Sequence, residues 1–143
     1  MKRFQILFLS CLVLSFTFSI FAQDKDTKEV IILQTSDVHS RIEPVNQKGD
    51  EYCNKGGFLR RAAFLEQFRK EHKNVLLFDC GDISQGTPYY NMFRGEVEVK
   101  LMNEIGYDAM TIGNHEFDFD VDNMERIFKM ANFPVVCANY NLD

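Results

Sequence analysis

Apolar residues in this chain fall into four short uninterrupted runs, each followed by a polar string and separated by amphipathic stretches. The runs are Val30-Ile31-Ile32-Leu33, Val75-Leu76-Leu77-Phe78, Ala109-Met110-Thr111-Ile112 and Pro134-Val135-Val136-Cys137. Continuous apolar runs rich in β-branched residues predict strands buried on both faces, as in a parallel sheet. The intervening stretches have the helical period. Gly56-Gly57 opens a helix reaching about His72, with Phe58, Leu59, Ala62, Phe64, Leu65 and Phe68 on its apolar face. Its Arg60, Arg61, Glu66, Arg69 and Lys70 are expected to face water. A short turn or helix covers Pro88 to Arg94, a helix runs from about Glu96 to Ile105 and stops at Gly106, and another covers about Asp122 to Met130. Strands alternating with helices imply parallel pairing through crossovers, and hence an α/β fold. His72 ends the first helix as a solvated residue, and Tyr89, Tyr90 and Phe93 read as packing aromatics.

The start of the chain has a different character. Lys2-Arg3 precede an uncharged stretch from Phe4 to Ala22, a pattern that predicts a secretory signal peptide at 1–22 followed by one domain at 23–143. An uncleaved anchor is the alternative, since the stretch approaches the length of a membrane span. A cleaved chain has no stable membrane span and is expected in the periplasm or outside the cell. Cleavage removes Lys2 and Arg3 and no acid, taking the formal charge from −5 to −7. An acidic surface repels a phosphate backbone, which excludes nucleic-acid wrapping and leaves a small phosphorylated substrate to be attracted locally. Cys53, Cys80 and Cys137 fit no zinc-knuckle spacing, and Cys80 and Cys137 read as core fillers.

The polar strings carry the chemistry. Asp37 and His39 follow the first strand, Asp82 the second, and Asn114 and His115 the third. In open α/β sheets these carboxyl ends are where ligands bind. Residues two apart in extended backbone point the same way, so Asp37 and His39 are expected to face one metal. The Asp82 carboxylate can bridge two cations, and Asn114 offers an amide oxygen to the second. Oxygen and nitrogen donors without thiolate suit zinc, manganese, iron or magnesium. Two divalent metal ions so held can clamp a phosphoryl group and activate a water. His115 is assigned to the phosphoryl oxygens or the leaving group, as stabiliser or general acid, with Asp118 orienting it and raising its pKa. Glu116 is either a rival orienter or a support for the metal site.

Thr35-Ser36-Asp37-Val38-His39, Gly81-Asp82-Ile83-Ser84-Gln85-Gly86-Thr87 and Gly113-Asn114-His115-Glu116-Phe117-Asp118 resemble, in order, the three leading blocks of the calcineurin-like metallophosphoesterases. More narrowly, they resemble the N-terminal metal-binding domain of the 5'-nucleotidase family, from about Val30 to Asn141. The resemblance implies that Asp37 and His39 bind the first metal, Asp82 bridges, Asn114 binds the second, and His115 with Asp118 forms the catalytic dyad. It implies hydrolysis of nucleotide phosphate esters outside the cytoplasm. The family's later blocks supply further histidines, whereas this chain has three in all. The expected architecture is thus part of the metallophosphoesterase sheet, with a C-terminal portion or partner chain supplying the remaining ligands. A non-catalytic metal-binding module, or a hydrolase of phosphodiesters or sulfur esters, is the alternative.

Overall fold

Each apolar run becomes a strand: β1 (Ile31–Thr35), β2 (Val75–Asp79), β3 (Ala109–Thr111) and β4 (Val135–Val136). Helices α1 (Phe58–Glu71), α2 (Pro88–Phe93), α3 (Glu96–Ile105) and α4 (Val121–Phe128) lie between them, with a 3-10 turn at His115–Phe117. The structure, a computed structural model, describes residues 27–140. The predicted signal peptide lies outside the described residues.

The helix ends follow local chemistry. Gly106 adopts the left-handed conformation and its N–H returns to the Met102 carbonyl, closing α3. The Asp120 carboxylate accepts from Asn123 N at 2.7 Å, which starts α4 one residue before the predicted Asp122. On α1, Phe58 and Leu65 are buried, but Leu59 is 80% and Phe64 57% exposed. Two of the six residues of the predicted apolar face therefore point to solvent. Arg61, predicted to face water, turns inward and donates to the Tyr107 hydroxyl at 3.0 Å.

The strands pair in parallel in sequence order, β1-β2-β3-β4, with Leu33 beside Leu77 and Met110 beside Val135. A sequential order with crossovers of one hand puts every helix on the same side of the sheet. Burial follows that rule. Leu33, Leu77, Met110 and Val135 join a core with Phe58, Leu65, Val99, Met102 and Ile127. The alternate positions face away from it: Ile32 is 62% and Val136 54% exposed. Among the described residues the sheet is thus covered on one face, not on both as its composition predicts. Cys80 is corrected for the same reason. It follows the inward-facing Asp79, so its side chain falls on the other side and is exposed rather than in the core, while Cys137 is half-buried.

Candidate metal centre

Three loops leave the carboxyl ends of β1, β2 and β3, and backbone hydrogen bonds hold them together. Asp37 N donates to Gly81 O at 3.1 Å, His39 N to Asp82 O at 3.0 Å and Ser40 N to Ile83 O at 2.8 Å. The first loop thus runs alongside the second beyond the end of the sheet. Its backbone is not extended: φ is 53° at Asp37, 43° at His39 and 52° at Ser40, with 56° at Asp82 across the gap. Left-handed non-glycine residues cost about 1–2 kcal/mol each, so the surrounding bonds must hold them. The alternation argument for Asp37 and His39 fails on this geometry, because it assumes extended chain.

The third loop fits against the second through two glycines. A Cβ on Gly113 would lie 2.1 Å from Asp82 Oδ1, and one on Gly81 would lie 2.5 Å from Gly113 N. The contact is then made polar from both sides. His115 N donates to Asp82 Oδ1 at 2.9 Å. The fully buried Glu116 carboxylate accepts from Asp82 N at 2.9 Å, Gly113 N at 2.6 Å and Ser84 N at 3.1 Å. Of the two roles expected for Glu116, the geometry favours support: its carboxylate ties the second loop to the third, whereas His115 Nδ1 lies 2.9 Å from Asp118 Oδ2.

These ties bring ligand-capable atoms of His39, Asp82 and His115 within 4.8 Å of one another. The two imidazole rings meet edge to face, with centroids 5.1 Å apart. His39 Nδ1 donates to Ser84 O at 3.1 Å, which leaves the Nε2 lone pair free for a cation. Asp82 Oδ2 has no hydrogen bond among the described residues, so one carboxylate oxygen is spare. This nitrogen and oxygen donor set fits a borderline or hard divalent cation such as zinc, manganese, iron or magnesium. Asp37 lies outside the cluster. It is exposed, and its carboxylate accepts from the Ser36 hydroxyl. Asn114 is also exposed and precedes the 3-10 turn without a side-chain capping bond, so its amide oxygen is not committed to the backbone.

His115 differs from His39 in the partner at Nδ1. That partner is a carboxylate, and the hydrogen bond to Asp118 raises the His115 pKa above the ordinary imidazole value. A neutral carbonyl partner leaves an unprotonated nitrogen to bind a cation, whereas a carboxylate partner favours the charged, proton-donating form. Two more buried carboxylates lie under the loops, and motif reading did not single them out. Asp79 accepts from Thr35 Oγ1 at 2.5 Å and from Gly81 N at 2.9 Å, and burial pushes its pKa up to about 6. Glu98 is fully buried on α3 and accepts from the Ser40 hydroxyl. The available signal for it was an acid at helical spacing with Met102 and Ile105 on the buried stripe of α3.

Residues 30–141 match the calcineurin-like phosphoesterase family. The chain belongs to that family. Among curated relatives, the snake venom 5'-nucleotidase of Crotalus adamanteus is 43% identical over 115 residues, covering 78% of this chain and 20% of that protein. The solved 5'-nucleotidase precursor of Thermus thermophilus superposes with a TM-score of 0.69 at 37% identity, covering 77% of this chain and 22% of that one. The NAD nucleotidase of Haemophilus influenzae gives a TM-score of 0.69 at 34% identity, covering 77% and 20%. This calcineurin-like phosphoesterase chain thus spans about a fifth of the length of these relatives.

Proposed function

We propose that the protein is a metal-dependent phosphohydrolase of the 5'-nucleotidase type, acting outside the cytoplasm on phosphate esters of nucleotides. The observation that carries this reading is the convergence of His39, Asp82 and His115 at the carboxyl edge of the sheet. Relatives named 5'-nucleotidase support the choice of substrate. Asp37, His39, Asp82 and Asn114 would hold two divalent cations, with Asp82 shared. A cation bound there would polarise a phosphoryl oxygen and make water acidic enough to attack phosphorus. The chain's own groups do the rest. The His115 N–H on Asp82 Oδ1 and the close approach of Gly113 fix the Asp82 carboxylate, while Glu116 holds the backbone that carries it, so that it does not reorganise as charge develops. His115, held by Asp118, donates from Nε2 to a phosphoryl oxygen or to the departing ester oxygen.

Four side chains shared between two cations leave coordination positions open, since zinc alone takes four ligands. The remaining ligands are taken to come from outside the described residues or from a partner. Titration calorimetry with zinc or manganese checks this: tight binding of two ions by residues 23–143 alone would contradict it.

Phosphate release from nucleoside monophosphates tests the activity. Together with the portion or partner chain that supplies the remaining ligands, the protein is expected to hydrolyse them with added manganese or zinc and to lose activity with chelator. His115→Ala should lower turnover by about 10²–10⁴-fold. Undiminished turnover in that variant would remove His115 from the chemistry.

A further inference from the structure

We propose that Glu98, on α3, is a positioning residue that sets the orientation of the His39 imidazole through Ser40. This rests on the reading of His39 as a metal ligand. Glu98 is fully buried, and so is Ser40, whose hydroxyl donates to Glu98 Oε1. Glu98 Oε2 has no hydrogen-bond partner among the described residues. A buried carboxylate with one neutral donor is expensive, and leucine at this helix position would avoid that cost. The single side-chain hydrogen bond that Glu98 makes among the described residues leads to Ser40, next to His39.

The link from Ser40 to His39 has two branches. Ser40 adjoins His39 within the left-handed turn, so anchoring its side chain fixes the backbone that carries the imidazole. Thr87 closes the second branch. Its hydroxyl donates to Ser40 O at 3.0 Å and lies 2.7 Å from Ser40 Oγ. Thr87 stands on the same loop as Ser84, whose carbonyl receives His39 Nδ1 at 3.1 Å. The Glu98–Ser40–Thr87 group therefore pins both the chain bearing the ring and the chain bearing its acceptor. A purely helical role is the rival: Glu98 lies in the first turn of α3, where an acid also suits the helix dipole.

Nitrogen–proton correlation spectra of the metal-free protein separate the two. Wild type should show His39 as a single Nδ1–H tautomer. Glu98→Leu and Ser40→Ala should shift it toward a mixture of tautomers and weaken manganese or zinc binding about tenfold or more. Glu98→Gln keeps an acceptor for Ser40 and should preserve the tautomer, with affinity within about threefold of wild type. A helical role would lower the melting temperature of Glu98→Leu but leave the tautomer unchanged. If Glu98→Leu does not fold, Ser40→Ala, which removes a single oxygen, carries the test. A folded Ser40→Ala with wild-type tautomer and affinity overturns the proposal. If wild type binds no metal, the metal reading fails, while the tautomer comparison still decides the role of Glu98.

Discussion

His39 and His115 meet edge to face, yet their chemistry diverges at one atom. Each imidazole has Nδ1 engaged, His39 by the Ser84 carbonyl and His115 by the Asp118 carboxylate. Asp118 raises the His115 pKa, so the protonated form persists to higher pH than in a free imidazole. If protonated His115 is the active form, activity falls as pH rises through that pKa. Asp118→Asn should move this falling limb to lower pH, read from kcat/KM against pH in the metal-loaded protein. A limb that stays in place would argue against His115 as the acid. Asp79 titrates with the opposite chemistry but the same sign of linkage. Burial lifts its folded value to about 6, above the ordinary aspartate value, so the folded state holds the proton more tightly. Its contribution to stability is full below the ordinary value and is lost as pH rises toward about 6. In the metal-free protein, Asp79→Asn should therefore narrow the difference in melting temperature between pH 4.5 and pH 7. An equal difference in both proteins would show that Asp79 ionises without penalty. The types of these residues were plain in the chain, and so was Asp118 as the partner of His115, three positions away. The Ser84 partner of His39 was not, because a hydrogen bond across 45 positions leaves no local pattern.

At the scale of elements, the centre depends on one side chain that stitches two loops. Glu116 accepts three backbone N–H groups, from Asp82, Ser84 and Gly113. Glu116→Ala leaves buried donors unpaired, at about 1–3 kcal/mol each. Glu116→Gln is nearly isosteric but turns an amide N–H₂ toward donors. Both variants should lower the urea midpoint and weaken metal binding, and a Gln variant equal to wild type in both would show that the staple is dispensable. The elements themselves were legible. All four strands and the main helices arise from the apolar runs and amphipathic stretches that predict them, and Gly106 stops α3 as expected. The exposure of Ile32, Leu59 and Phe64 was not. Period reports which residues share a face, while only packing decides whether anything covers that face. The extended backbone assumed at Asp37 and His39 failed similarly, since cross-loop bonds hold a left-handed turn that neither residue prefers.

Across the whole molecule, acidic groups gather at one sheet edge of a chain already at net charge −5. A divalent cation would offset that repulsion, and binding to the folded state alone stabilises it by mass action. Zinc or manganese at a hundred times its dissociation constant should add about 2.7 kcal/mol, seen as a raised melting temperature that chelator reverses. No shift with either ion would contradict a metal centre. A cavity of about 830 Å³ lies between α4 and β4, lined by Met124, Phe128, Phe133 and Tyr140 among others, and none of His39, Asp82 or His115 lines it. Concavity alone would have pointed away from the chemistry, whereas the strand-end residues pointed toward it. The sequence by itself determined the alternating strands and helices and the donor types at three successive strand ends, because hydrophobic period and residue chemistry are local properties. Tertiary structure alone decided that His39, Asp82 and His115 converge, that Glu116 binds loops rather than His115, and that Glu98 reaches Ser40, beside His39, from a helix. Those outcomes depend on which backbone groups meet across the sheet edge, and that is settled only when the strands pair and the loops close on one another.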